Sequence, residues 1–238
     1  MKKFVLLAVL VAVLLSACAP KGLTPKTTDL VLPFAYMSAT FKDEVLAEEI
    51  IAVSFTEGAR KENMPLYILT SFDNGETWNE TVISDRTCYQ NFLSFSSKEN
   101  GFLVVQGEYG LARQGDAFIL FTHDGGKTWQ EVTSTTSVCN WLVSDILLIS
   151  KDIGFVCYDY NAELQPVFCR TKDGGQSWER VTLQTEDIIN KKADYSSIES
   201  AKYQNGVITF SVRFYTEDSE YLKNFISTDF GKNFTEEK

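Results

Sequence analysis

The sequence contains a single histidine, His123, among its 238 residues. This scarcity argues against a histidine-ligated metal site and against a catalytic triad built on histidine. The five cysteines include no Cys-x-x-Cys pair, so a zinc site of the common kind is not expected either. The sequence therefore predicts no metal, no cofactor and no catalytic residue of these kinds.

Basic residues are also few. Lys and Arg number 22 against 32 Asp and Glu, a formal net charge of −10. Lys2 and Lys3 belong to a predicted leader. Without them the chain has 20 basic and 32 acidic residues, a formal net charge of −12. Because such a charge repels polyphosphate, nucleic acid is not expected as a partner.

No apolar run reaches the roughly 20 residues that a membrane-spanning helix needs. The longest, Phe4–Leu15, falls well short of that length and follows the basic start Met1-Lys2-Lys3, a pattern typical of an export signal. The next residues, Leu15-Ser16-Ala17-Cys18, resemble the bacterial lipobox, in which signal peptidase II cuts before a diacylated cysteine. The alternative is an ordinary cleavage site after Ala17.

The lipobox resemblance implies an acylated Cys18 that anchors an extracytoplasmic lipoprotein to the outer face of a membrane. Residues 1–17 are then a signal peptide, and residues 18–28, rich in Pro and Thr, form a flexible tether. Residues 29–238 are predicted to fold. An apolar fraction of 44% with 17 Phe, 10 Tyr and 4 Trp suffices for a packed core and excludes a disordered protein.

Four octets of this folded segment align without gaps, and they recur at a nearly constant spacing. They share a hydroxyl residue, Asp, Gly, a second small polar residue and a closing aromatic. The shared positions are Ser71, Asp73, Gly75, Thr77 and Trp78; Thr122, Asp124, Gly126, Thr128 and Trp129; Thr171, Asp173, Gly175, Ser177 and Trp178; and Ser227, Asp229, Gly231 and Phe234, the last after Asn233.

Each octet lies between two runs with strand character, for example Ala117–Phe121 and Trp129–Thr133. A strand, a tight turn and a second strand predict a β-hairpin. The glycine supplies the positive φ of the turn, and the aspartate accepts hydrogen bonds from turn amides and hydroxyls. We therefore expect a structural role for the octets.

These octets resemble the Asp-box, also called the BNR repeat, of sialidases, sortilin-type receptors and photosystem II assembly factors. The resemblance implies a β-propeller with each box between the third and fourth strands of a blade, at a distance from any active site. The fourth octet departs from the pattern at Asn233-Phe234. The implied fold is all-β: a small propeller of about four blades, each with four antiparallel strands.

Further strand-like runs complete the four units, at about 52 residues per blade. They are Phe34–Thr40 and Ile50–Phe55, Leu93–Phe95 and Gly101–Val105, Ile146–Ile149 and Gly154–Tyr158, and Ile198–Ala201 and Gly206–Phe210.

The cysteines outside the leader are even in number, as in many exported proteins. Cys157 and Cys169 lie symmetrically about Glu163, so a hairpin register would place them opposite each other as a possible disulfide. Cys88 and Cys139 occupy equivalent positions after the first and second box aspartates and offer a second pairing. The alternative is that all four are buried thiols.

The longest connections between second and third strands are Gln106–Asp116, Asp159–Gln165 and Phe214–Tyr221, and they should share one face of the propeller. Their aromatic and basic side chains suit a sugar or a protein partner. The candidate ligand residues are Tyr109, Arg113, Tyr160 and Tyr215. Alternatively, the tyrosines only cap the blades.

The sialidase family implies six blades, three arginines around the substrate carboxylate, a Tyr–Glu pair and an acidic Asp. The sequence has length for four blades and no arginine before Arg60. We therefore predict a non-catalytic surface lipoprotein, a binding or scaffold module for an envelope protein or an extracellular ligand. The alternative is a sialidase-like glycan-active enzyme or a carbohydrate-binding lectin. Convergence of three arginines beside a tyrosine and an acid would favour the enzyme.

Overall fold

The computed structural model describes residues 39–46, 49–57, 65–83, 88–109, 115–132, 134–159 and 164–238. The predicted leader and tether, including Cys18, lie outside the described residues, as do Arg113 and Tyr160. Within the described ranges, no helix combines the length and hydropathy needed to cross a membrane.

The strands form four antiparallel sheets of four strands each, every sheet in chain order. The first contains β1 (Ala39–Leu46), β2 (Ile51–Glu57), β3 (Leu66–Ser71) and β4 (Asn79–Ile83). The second contains β5 (Gln90–Phe95), β6 (Gly101–Tyr109), β7 (Gly115–Thr122) and β8 (Gln130–Glu131). The third contains β9 (Val143–Leu148), β10 (Gly154–Tyr158), β11 (Val167–Thr171) and β12 (Glu179–Thr182). The fourth contains β13 (Tyr195–Gln204), β14 (Val207–Tyr215), β15 (Glu220–Ser227) and β16 (Thr235–Glu236).

A 3₁₀ helix (Thr135–Ser137) leads from β8 to β9, and a short helix α1 (Glu186–Ile189) leads from β12 to β13. The first strands of the sheets, β1, β5, β9 and β13, contact one another in that order. The four sheets, here blades 1 to 4, are the blades of a β-propeller, which confirms the fold class that the repeats predict. The strand boundaries differ most in blade 1, where β1 extends to Leu46 rather than ending at Thr40.

Apolar side chains fill the space between neighbouring blades. Both faces of blade 3 are covered, and β10 and β11 are buried at every position. In β14 burial alternates instead: Phe210 and Phe214 face blade 3, whereas Arg213 and Tyr215 lie on the opposite, half-buried face. This period of two places polar side chains at the side of blade 4 that faces away from blade 3.

The four boxes have the same hydrogen-bonded geometry. The hydroxyl of the first residue donates to the aspartate at 2.8 Å in every box. That hydroxyl accepts from the amide of the box glycine at 2.8 to 3.0 Å. The aspartate in turn accepts from the backbone amide of the seventh residue at 2.8 to 3.0 Å. The box therefore satisfies the polar groups of its own turn.

The fourth box keeps this geometry despite its unusual sequence. The Asn233 side chain donates to Asp229 at 2.7 Å, as the Thr128 hydroxyl does to Asp124 at 2.6 Å. Phe234 takes the place of the tryptophan and stacks on Phe210 with centroids 4.6 Å apart. The degenerate octet is thus structurally equivalent to the other three.

The boxes lie at one end of the blades. Box residue Thr171 pairs with Gly154 at the start of β10, and the far end of β10, at Tyr158, pairs with Val143 at the start of β9. The connection that follows Tyr158 therefore lies at the end of blade 3 opposite its box.

The disulfide predicted between Cys157 and Cys169 is wrong. Cys169 pairs with Val156, whereas Cys157 pairs with Phe168. A register shift of one residue places side chains on opposite faces of a sheet. Cys169 consequently packs between blades 2 and 3, Cys157 packs between blades 3 and 4, and both are thiols.

The box aspartates predict a loss of stability in acid. Hydrogen bonds from Thr77 lower the pKa of Asp73 to about 2, and hydrogen bonds from Asn233 do the same for the pKa of Asp229. Because these folded-state pKa values lie below the unfolded value, the stabilisation is present above about pH 4 and is lost as the pH falls from about 4 to about 2. We expect a melting temperature that is level from pH 7 to 5 and falls below pH 4.

The control for this prediction is the double variant Asp73→Asn/Asp229→Asn. Its melting temperature at pH 7 is lower, since the charge-assisted hydrogen bonds are replaced by weaker ones. Its further decrease between pH 5 and pH 2, followed by circular dichroism, is smaller than that of the wild type. Equal decreases in the two proteins would contradict the assignment to the boxes.

Candidate functional site

A cavity of about 330 Å³ is lined by residues of blades 3 and 4. It is at the end opposite the boxes, where β10 and β14 end and β9 and β13 begin. The cavity is lined by Ser144, Asp159, Ser197, Ile198, Glu199 and Tyr215. Two carboxylates, two hydroxyls and a tyrosine in one concave site are a set of groups suited to a polar ligand.

Glu199 lies in a β-bulge of β13. β13 pairs Ile198 with Val212 and Ser200 with Ser211, so Glu199 has no counterpart in β14. Bulges redirect a side chain and often occur beside binding sites. The ion pair with Arg213 shows that Glu199 lies on the sheet face opposite to Ile198.

Arg213 binds Glu199 through two hydrogen bonds. Its Nη2 donates to Glu199 Oε2 at 2.8 Å and its Nε donates to the other carboxylate oxygen, while Nη1 donates to Glu220. The hydrogen bond to Glu199 holds the pKa of Arg213 above its ordinary value. Because one guanidinium serves two carboxylates, it is already neutralised and has little attraction for a further anion.

Tyr215 provides an aromatic wall. Its ring stacks on Tyr195 with centroids 4.5 Å apart and planes 11° apart. Burial raises the pKa of Tyr215, the charges of Asp159 and Glu199 raise it further, and a hydrogen bond with Ser197 opposes them. The phenol is therefore neutral at pH 7, which suits it to hydrogen bonding and stacking and not to nucleophilic attack.

The floor of the cavity is held by the inner strands. Asp145 Oδ2 accepts from the Ala201 amide at 2.7 Å and joins β9 to β13. Beside it, the Ser144 hydroxyl is buried and has no hydrogen-bond partner among the described residues.

The four predicted ligand residues lie in different parts of the chain. Tyr215 lines the cavity. Tyr109 ends β6, at the corresponding end of blade 2, but its side chain is outside the described residues. Arg113 and Tyr160 are outside them entirely, so their roles stay predictions.

Four lining residues with polar side chains were not predicted from the sequence: Ser144, Asp159, Ser197 and Glu199. For Asp159 a signal existed, because it opens one of the long connections between second and third strands. Glu199 offers no such signal, since it lies within β13 and outside these connections.

The three described arginines lie at different places. Arg170 is buried and donates to the Gly231 carbonyl and to Glu179, at the box end. The Arg180 guanidinium lies 4.9 Å above the Trp141 ring. Among the described residues, Arg213 is thus the arginine beside the cavity, and a three-arginine clamp does not form from this set. Also within these residues, no group of three His, Cys, Asp or Glu side chains is arranged to hold a metal ion.

Residues 120–131 match the family model of the BNR/Asp-box repeat. The match spans the second box, and the other three boxes share its geometry. The chain therefore carries BNR/Asp-box repeats on a β-propeller. No curated protein matches the chain significantly in sequence.

Solved structures share the fold. The GH93 α-L-arabinofuranosidase of Fusarium graminearum aligns with a TM-score of 0.54 and 15% identity over 92% of this chain and 69% of that chain. A family 117 glycoside hydrolase of Zobellia galactanivorans aligns with a TM-score of 0.51 and 11% identity over 92% and 75%. The Trypanosoma rangeli sialidase aligns with a TM-score of 0.52 and 11% identity over 91% of this chain and 40% of its own.

Such low identities show a common fold only. All three structures are nevertheless enzymes that act on glycans. The comparisons give no support to the scaffold interpretation.

Proposed function

We propose that the protein is glycan-active and that its sugar site is the cavity lined by residues of blades 3 and 4. The observation that carries this proposal is the presence of Asp159, Glu199 and Tyr215 on the walls of one cavity. Carboxylates accept hydrogen bonds from sugar hydroxyls, and an aromatic ring packs against the apolar face of a sugar. Carboxylate pairs are also the catalytic groups of most glycoside hydrolases.

The charges of the site favour a sugar without an acidic group. Asp159 and Glu199 face the cavity, and the neighbouring Arg213 is shared by Glu199 and Glu220. A sialic acid or uronic acid carboxylate would meet two negative charges and no available guanidinium in this part of the site. Neutral oligosaccharides are therefore the proposed ligands, and the lipid anchor predicted at Cys18 would present the site outside the membrane.

A second candidate function is sugar binding without hydrolysis. It is favoured by the Arg213–Glu199 ion pair, because a carboxylate held by a guanidinium is a weaker general base and a weaker nucleophile. In this case Asp159 and Tyr215 bind the sugar and no bond is cleaved.

The test is binding and turnover of neutral arabino-oligosaccharides by the full chain, with sialyllactose as the acidic comparison. We expect binding of the neutral sugar and none of sialyllactose. Tyr215→Ala weakens binding about 10-fold through lost stacking, which corresponds to about 1.4 kcal/mol. If the protein hydrolyses the sugar, Asp159→Asn and Glu199→Gln lower kcat by a factor of about 100 or more.

The matched control is Glu217→Gln, an exposed acid outside the cavity, which leaves binding and turnover unchanged. Binding without released sugar supports the second candidate. Absence of binding to a broad panel of neutral glycans, or binding unaffected by Tyr215→Ala, contradicts the proposed site.

A further inference from the structure

The backbone of Leu164 is strained, and no local turn explains the strain. Among the described residues, those with a positive φ that are not glycine are Asn74, Leu164, Lys191, Asn205 and Phe230. Asn74 and Phe230 are the fourth residues of their boxes, where the other two boxes have glycine. Lys191 follows the end of α1, and Asn205 lies in the two-residue turn between β13 and β14. Leu164, with φ of +67°, belongs instead to the longer connection between β10 and β11.

Hydrogen bonds on both sides of this residue hold the unfavourable conformation. The Leu164 carbonyl accepts from the Ser196 amide at 2.8 Å and from the Ser196 hydroxyl at 2.9 Å. The next side chain, Gln165, accepts from the amide and the hydroxyl of Thr185 at 3.0 and 2.8 Å. A leucine enters the left-handed region only at a cost, and strain that the surroundings maintain in this way is concentrated at ligand sites.

Packing in the core does not account for this strain. The Leu164 side chain is 43% exposed, whereas the core leucines of the blades, such as Leu69 and Leu103, are 1% and 0% exposed. The strained backbone therefore holds an apolar side chain at the surface, where a ligand can contact it.

Leu164 lies beside the cavity that blades 3 and 4 line. Its hydrogen-bond partner Ser196 directly precedes Ser197, which lines the cavity. Asp159, at the start of the connection that contains Leu164, lines the cavity as well. Leu164 is thus tied to the cavity both along the chain and through β13.

We propose that Leu164 forms an apolar subsite at the rim of the cavity and packs against the second unit of a bound neutral oligosaccharide. This inference rests on the proposed function. The cavity volume of about 330 Å³ is at the lower end of the range for ligand pockets, so a sugar chain that enters it continues along its rim. The C–H groups of a sugar ring pack against an aliphatic side chain by dispersion. The ligand is therefore an oligosaccharide of two or more units.

The experiment measures the binding of arabinose, arabinobiose and arabinotriose to the full chain by calorimetry. We expect the wild type to bind arabinotriose at least about 10-fold more tightly than arabinose. Leu164→Asn removes the apolar contact and keeps the backbone, because asparagine tolerates the left-handed region. It should weaken the binding of the two oligosaccharides about fivefold and leave the binding of arabinose unchanged. Leu164→Met keeps an apolar side chain and should bind all three sugars as the wild type does.

The matched control is Lys191→Asn, which introduces the same residue at another exposed position with a positive φ, outside the cavity lining. It leaves the binding of all three sugars unchanged. Circular dichroism confirms that the variants are folded, and we expect Leu164→Asn to melt within about 2 °C of the wild type.

The outcomes separate this inference from the proposed function. Absence of binding of every sugar in the series to the wild type contradicts the proposed function itself. Equal affinities of the wild type for arabinose and arabinotriose overturn the second subsite, whatever the variants show. Oligosaccharide binding that Leu164→Asn leaves unchanged, or that it weakens no more than arabinose binding, overturns the role of Leu164 while the cavity stays a sugar site.

Discussion

Gly231→Ala is expected to lower the melting temperature by about 10 °C, which corresponds to about 3 to 4 kcal/mol for a chain of this size. Gly231 has φ of +73°, a conformation that costs an alanine about 1 to 2 kcal/mol. A Cβ added at Gly231 would also lie 2.5 Å from Cε1 of the fully buried Phe155. Overpacking of this kind adds about 1 to 3 kcal/mol.

The control separates these two contributions. Gly206 has φ of +82°, and a Cβ added there meets no atom within 4 Å. Gly206→Ala therefore includes the backbone cost alone and should lower the melting temperature by about 3 to 5 °C. Thermal unfolding of the wild type and both variants, followed by circular dichroism at pH 7, measures the difference. Equal decreases in melting temperature in the two variants would show that the Phe155 side chain moves to make room for the added Cβ. The box glycine would then not be needed for packing between blades.

Phe168→Ala is expected to lower the free energy of unfolding by about 3 to 5 kcal/mol, or about 10 to 15 °C in melting temperature. Phe168 is fully buried between blades 3 and 4. Its ring centroid lies 5.1 Å from Phe210, 5.5 Å from Phe234 and 5.9 Å from Phe155. The substitution removes a ring that packs against three other aromatic rings. It leaves a cavity, because the surrounding strands do not move in to fill the space.

Val82→Ala provides the comparison, because Val82 is 43% exposed on β4. Truncation at a surface position changes stability by about 0.5 kcal/mol or less. Denaturant unfolding of wild type, Phe168→Ala and Val82→Ala gives the free energies directly. A loss at Phe168→Ala no larger than that at Val82→Ala would mean that the blade 3–blade 4 core does not carry the stability of the fold.

The fold could be predicted from local signals. The box glycines and aspartates define turns within a single octet, and the regular recurrence of the octets counts the blades. The turn of the degenerate fourth box could be predicted as well. Its Asn233 side-chain amide reaches the same carboxylate oxygen as the hydroxyl in the other boxes. These features depend on contacts between residues that are close in sequence.

The candidate site was only partly predictable. The sequence indicated that connections such as Asp159–Gln165 and Phe214–Tyr221 share one face, and Tyr215 does line the cavity. The role of Glu199 depends on its ion pair with Arg213 across β13 and β14, and that of Ser144 on the packing of β9 against β13. Neither has a signature in composition or periodicity.

The cysteines also show the difference between what the sequence predicts and what depends on the tertiary structure. Their symmetric spacing suggested the pair Cys157 and Cys169, but a register one residue away puts these side chains on opposite faces. Cys169 instead packs in the apolar cluster between blades 2 and 3, to which Cys139 also belongs.

The sequence by itself determined the class of fold, the number of blades and the structure of each box, because these depend on turns and strand periodicity within a single unit. Only the tertiary structure decided which carboxylates share a cavity, which cation neutralises Glu199 and which apolar cluster each buried thiol joins. Those relations depend on register and on the packing of one blade against the next, where a shift of one residue moves a side chain to the other face.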